Sequence, residues 1–197
     1  MIYINKNADT AIIVIHEIYG VNQHMKDMCA ALAEQNFNVI CPNLLDQEIT
    51  FDYTQEDFTY KDFMEKVGFA NASRKVFYLL SNIKNQYKKV FIVGFSVGAT
   101  IAWLCSEEKG LSGVVGYYGS RIRDYVEISP QCPTMLFFPK EEKSFSIDEL
   151  ISKLNKDHIE VHKFNGQHGF SDLYSSKYNE EAAQKSFRKM NKFFLEH

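Results

Sequence analysis

Seven short apolar runs punctuate the chain, and most are separated by stretches of helical period. Ala11–His16 (AIIVIH) and Lys89–Phe95 (KVFIVGF) are almost continuously apolar, the signature of strands covered on both faces. Ile2–Ile4, Phe37–Cys41, Ser112–Tyr118, Thr134–Phe138 and Ile159–Phe164 read as further strands. Between them, Met25–Glu34 carries Met25, Met28, Cys29 and Leu32 at i, i+3, i+4 and i+7, which predicts a helix. Lys61 to Gln86 is expected to be helical with a break near Gly68, and Ala99–Glu108, Ile147–Lys156 and Glu180–Leu195 to be helices. Residues 46–60 are acidic and aromatic without a clear period and are expected to form a long loop. Strands that alternate with helices predict an α/β fold with a mostly parallel sheet of six or seven strands and helices on both faces. No internal repeat or linker divides the chain, so residues 1–197 are expected to form one domain.

Ligands in such sheets sit beyond the carboxyl ends of the strands. There the sequence places Gly94-Phe95-Ser96-Val97-Gly98, a G-x-S-x-G pattern with a strand before it and a helix after it. In that context the pattern predicts a strained turn that pushes the Ser96 hydroxyl outward as a nucleophile, with the Val97 N–H facing developing negative charge. A serine hydroxyl needs a base. His168, between Gly166 and Gly169 after the last predicted strand, stands where the Ser…acid…His chain order puts it. The acid should follow Thr134–Phe138, where Glu142 is the first choice and Glu141 and Asp148 are the alternatives. Directly after the first long strand comes His16-Glu17-Ile18-Tyr19-Gly20, in which the Ile18 N–H is the natural second oxyanion donor and Glu17 stands near the nucleophile.

These stretches resemble the dienelactone hydrolase family of α/β-hydrolases. The similarity runs through IIVIHEIYGVNQHM (12–25), NVICPNLL (38–45), VFIVGFSVGATIAWL (90–104), VVGYYG (114–119) and GQHGF (166–170). The resemblance implies an α/β-hydrolase sheet with nucleophile, acid and base in the order above, Glu17 in contact with the nucleophile, and Ile18 and Val97 as oxyanion donors. It also implies substrate contacts from Glu17, Tyr19 and Tyr118. The chain departs from the family pattern in three ways. Ser96 stands where the family's name-giving enzymes use cysteine. Glu142 stands where they use aspartate. Asp172 and Glu56 align with the two arginines that hold an anionic substrate, and carboxylates cannot serve as anion clamps. A small ester, lactone or thioester, neutral or cationic rather than anionic, is therefore the expected substrate. The resembled enzymes also carry strands before the one at 11–16, where this chain has Ile2–Ile4, so the sheet is expected to be shortened at its start. Its exposed edge could be covered or pair with a second copy as a homodimer.

Composition narrows the remaining classes. The net charge of −3 with no basic run argues against a nucleic-acid partner. The longest apolar stretches, such as Ala11–Ile15, fall far short of the ~20 residues a membrane helix needs. Cys29, Cys41, Cys105 and Cys132 are scattered without metal-type spacing, and MIYINKNADT lacks the order of a signal peptide. A cytoplasmic protein with reduced, buried thiols and no metal or other cofactor is expected. A competing reading is a non-catalytic relic of the fold that binds a ligand or partner; it gains if no carboxylate can reach His168.

Overall fold

The alternation of apolar runs and helices resolves into one seven-stranded sheet in the computed structural model, which describes residues 1–45, 47, 49–154 and 157–197. The elements are β1 (Ile2–Ile4), β2 (Thr10–Ile15), α1 (Gln23–Glu34), β3 (Asn38–Cys41), α2 (Glu56–Lys66), α3 (Gly68–Ile83), β4 (Lys89–Phe95), α4 (Val97–Cys105), β5 (Gly113–Tyr117), β6 (Thr134–Pro139), α5 (Ile147–Lys153), β7 (Ile159–Phe164) and α6 (Glu180–Glu196). The sheet order is β1-β3-β2-β4-β5-β6-β7. Every pair is parallel except β1 with β3, which is antiparallel, so the short first strand closes one edge.

The continuous apolar runs are explained by burial on both faces. Along β2, Ile12 and Val14 face one core with α1 and α6, while Ile13 and Ile15 face another with α3 and α4. That division is the two-residue period of a strand. A third cluster, built on Trp103, Leu136, Phe138, Ile147 and Leu150, seats α5. Three helix starts carry side-chain caps: Asn22, Ser146 and Asn179 each accept a backbone N–H from the first turn of α1, α5 and α6.

The structure shifts several helix ends by a few residues, among them Ala99–Glu108, which is observed as Val97–Cys105, and it corrects one region more deeply. The expected loop 46–60 ends early, because Tyr53–Gln55 forms a 3₁₀ turn and α2 begins at Glu56. Asp52 caps that turn by accepting the Thr54 N–H. Of α2, only Thr59 and Phe63 are buried, so its apolar signal is too sparse for a period to be read. The break near Gly68 is present, with α2 ending at Lys66 and α3 starting at Gly68, where φ is +65°. The expected helix Ile147–Lys156 is seen to Lys153; its last two positions, 155 and 156, lie outside the described residues.

Strand order also determines where a site can form. The chain leaves β2 toward β3 on one side and returns through β4 on the other, so the crossovers diverge between the carboxyl ends of β2 and β4. Ile15 is paired with Gly94 there. Two residues further along the chain, just past the strand ends, stand Glu17 and Ser96.

Candidate active site

Two glycines make the turn at Ser96 possible. A Cβ on Gly94 would lie 2.0 Å from the Gly98 carbonyl oxygen, and one on Gly98 would lie 2.3 Å from the Ile15 carbonyl oxygen. No side chain fits at either place, so helix α4 packs backbone to backbone against β4 and the end of β2. Ser96 itself sits at φ 53° and ψ −114°, a conformation that L-residues rarely hold unless the surroundings enforce it. The Ser96 N–H donates to the Tyr117 carbonyl at 2.9 Å, which ties the turn to β5. Val97 is the first residue of α4, and the first N–H groups of a helix have no intrahelical acceptor.

His168 reaches this hydroxyl from the far edge of the sheet. Its loop follows β7 and is pinned by Phe170, fully buried among Tyr118, Phe164 and Tyr117. The Asn179 N–H donates to the Phe170 carbonyl at 2.9 Å and closes the loop. His168 Nε2 lies 2.8 Å from Ser96 Oγ, and its Nδ1 lies 2.7 Å from Glu142 Oε1. Glu142 follows β6, the neighbour of β7 in the sheet, which brings its side chain within reach of the ring. Of the two alternatives, Glu141 is exposed, and Asp148 is 2.6 Å from Lys163 Nζ on the outside of the fold.

Glu17 and Ile18 enter from the β2 side, in a turn closed by the Gly20 N–H donating to the Glu17 carbonyl at 3.2 Å. A neighbour that the sequence reading did not assign holds this turn. His16 is buried, its Nδ1 is 2.6 Å from the Glu17 carbonyl, and its Nε2 accepts the Leu44 N–H at 2.9 Å. Those partners require a neutral ring with the proton on Nδ1, and burial lowers its pKa to about 4. Glu17 is moved the other way. Burial, then the nearby charge of Asp172, raises its carboxyl pKa to about 7. Its Oε1 is buried without a hydrogen-bond partner.

A cavity of about 350 Å³, counted with its open mouth, lies over Ser96. Glu17, Ile18, Tyr19, Tyr53, Glu56, His168 and Asp172 line it, together with Gly169, Ser175 and Lys177. Tyr19 and Tyr53 meet with ring centroids 4.6 Å apart. Tyr53 donates its hydroxyl to Asp172 Oδ2 at 2.5 Å, joining the segment before α2 to the histidine loop. Lys177, absent from the sequence reading, is 3.5 Å from Glu56 across the mouth. Tyr118 differs from its expected role at the substrate surface. It is fully buried behind the site, its ring centroid 5.0 Å from that of His168 and its hydroxyl 3.0 Å from Ser171 Oγ. Among the described residues no cluster of metal-binding side chains occurs, no helix is long and apolar enough to cross a membrane, and all four cysteines are free and buried.

Known proteins share this architecture. A candidate dienelactone hydrolase from Klebsiella pneumoniae superimposes with a TM-score of 0.80 at 21% identity, over 95% of this chain and 87% of that one. The uncharacterized protein YczH of Bacillus subtilis is 39% identical over 173 residues, 85% of this chain and 84% of its own length. A carboxymethylenebutenolidase of Pseudomonas putida is 25% identical over 129 residues, 61% of this chain and 54% of that one. The profile of the dienelactone hydrolase family matches residues 1–197. An elbow between β4 and α4, a histidine loop after β7 and a match along the whole sequence lead to one assignment: the chain is an ester-acting α/β-hydrolase that belongs to the dienelactone hydrolase family.

Proposed function

We propose that the chain is a serine hydrolase that cleaves small esters, lactones or thioesters through an acyl-enzyme on Ser96. The observation that carries this reading is the unbroken hydrogen-bond line from Ser96 Oγ through His168 to Glu142 Oε1, at 2.8 and 2.7 Å. In it the Ser96 hydroxyl donates to Nε2, and the Nδ1–H donates to the carboxylate. When Ser96 Oγ attacks the substrate carbonyl, its proton passes to Nε2. A hydroxyl is not ionised in advance, so this transfer accompanies the attack. Glu142 holds the ring in the tautomer that leaves Nε2 free and stabilises the imidazolium that forms. The N–H groups of Ile18 and Val97 receive the oxyanion. Collapse expels the alcohol or thiol, which takes the proton from Nε2. A water deprotonated by the same nitrogen then attacks the acyl group and frees Ser96.

The lining supports a reading of the substrate's charge. Glu17, Asp172 and Glu56 face the cavity, and Lys177, the lysine among the lining residues, pairs with Glu56. An anionic substrate would meet carboxylates, so neutral or cationic substrates are favoured. Residues 1–197 act as one domain in this reading, in the cytoplasm, where buried thiols stay reduced. A panel of neutral p-nitrophenyl esters of graded chain length, run beside lactones, tests it. Turnover by the wild type that disappears in Ser96→Ala is expected; turnover retained in that variant overturns the reading.

A further inference from the structure

Three observations about the cavity remain after Ser96, His168 and Glu142 have been given their roles. Glu17 is only 5% exposed and lines the cavity, yet its Oε1 has no hydrogen-bond partner. A buried acceptor left unpaired is costly, and native structures rarely keep one without a use for it. Asp172 is fully buried on the same wall. Its partners are the Tyr53 hydroxyl and the Tyr174 N–H, at 2.5 and 2.9 Å, with His24 Nδ1 at 3.8 Å. Burial lowers the pKa of His24, so the charge of Asp172 is answered by dipoles. Finally, the rings of Tyr19 and Tyr53 line the same cavity, and aromatic faces attract cations. Lys177 does not offset this balance, because Glu56 holds it at 3.5 Å.

We infer that the wall formed by Glu17, Asp172, Tyr19 and Tyr53 is a subsite for a primary ammonium group, and that the substrate is an ester or thioester whose short acyl chain ends in a protonated amine. The Glu17 carboxyl turns to bring its closed-off Oε1 to the ammonium, which lies against the tyrosine faces while the carbonyl rests over Ser96. This specifies the substrate of the proposed serine hydrolase and rests on that reading. The small cavity keeps the amine and the carbonyl a few bonds apart. No arginine stands among the described lining residues, and the pocket is built for the opposite charge.

The test uses three methyl esters of equal reach: β-alanine methyl ester, methyl butyrate and monomethyl succinate, which end in ammonium, methyl and carboxylate. Each kcat/KM is divided by the hydroxide-catalysed rate of the same ester, which removes the effect of the end group on the carbonyl. The expected order is ammonium over methyl over carboxylate, with the first step about tenfold or more, as for a charge-assisted hydrogen bond. Glu17→Gln should collapse the ammonium preference, and Asp172→Asn should reduce it. Equal normalised rates for the ammonium and methyl esters, or a preference untouched in both variants, overturn the inference and leave the hydrolase reading standing wherever methyl butyrate is cleaved in a Ser96-dependent way. If no ester is cleaved, titration calorimetry of Ser96→Ala with β-alanine methyl ester and methyl butyrate decides the subsite separately. Tighter binding of the ammonium ester supports it, and equal binding overturns it.

Discussion

Glu17→Gln should change how stability depends on pH, and the structure gives both sign and size. The Glu17 carboxyl titrates near 7 in the fold, against an ordinary 4.5, because burial and the charge of Asp172 disfavour its ionised form. As pH falls from 8, the folded chain therefore takes up this proton before the unfolded chain does. The stabilisation is fully present below 4.5 and is lost as pH rises through 7. A displacement of that size is worth roughly 3 kcal/mol. His16 acts in the opposite direction. Its pKa is lowered from 6.5 to about 4 by burial, so the unfolded chain takes the proton first and stability falls between those values. That loss is also roughly 3 kcal/mol, so in the wild type the two nearly cancel between neutral pH and about 4.5. Glutamine keeps the shape of Glu17 and does not titrate, which leaves the His16 loss uncompensated. Urea unfolding followed by far-UV circular dichroism from pH 8 to 4.5 measures the effect. The stability of the variant minus that of the wild type should fall by roughly 3 kcal/mol over that range, and every other titrating group is common to both proteins. A difference that stays constant with pH would refute the reasoning, because Glu17 would then titrate alike in the folded and unfolded chains.

Three further outcomes are expected. Glu142→Gln removes the charge that stabilises the imidazolium while keeping the side-chain length, so ester turnover should drop on the order of 10²-fold or more with the urea midpoint unchanged; wild-type rates would remove Glu142 from the mechanism. Gly98→Ala puts a methyl 2.3 Å from the Ile15 carbonyl oxygen and 2.6 Å from that of His16. Both obstacles are backbone, so a loss of about 3 kcal/mol or more is expected in urea unfolding, and an unshifted midpoint would contradict the close packing of the elbow. Tyr53→Phe deprives buried Asp172 of its 2.5 Å donor and should destabilise the protein by about 1–3 kcal/mol, read from the same unfolding curves; no change would mean the contact adds nothing.

The inner strands were legible because they are buried on both faces and so read as nearly continuous apolar runs, as in Ala11–Ile15 and Val90–Phe95, whereas the edge strands β1 and β7 are only partly buried. The start of α2 was not, since Glu56–Lys66 buries only Thr59 and Phe63. The positions of Ser96 and His168 could be read because local chemistry marks them: glycines that a backbone-to-backbone turn demands, and a glycine-flanked loop after the last strand. The carboxylate expected to partner His168 remained one of three, because which carboxylate in 139–148 turns inward depends on loop geometry that residue types do not encode. The link between Tyr53 and Asp172 spans 119 positions and leaves no local trace. His16 gave a faint signal, as a histidine at the end of a buried strand, but its two backbone partners appear only in the fold. The misplacement of Tyr118 has a similar cause: it follows β5, where ligand contacts are common, yet its φ of 42° turns the ring beneath His168.

Covalent labelling with a fluorophosphonate tests the central claim most directly, since the probe reacts with a serine that its surroundings have activated. Folded protein is incubated with the probe, digested and read by mass spectrometry. The account predicts a single adduct on Ser96 that is absent from heat-denatured protein and from His168→Ala. Folded protein that carries no adduct on Ser96, beside a serine hydrolase labelled in the same experiment, would contradict it.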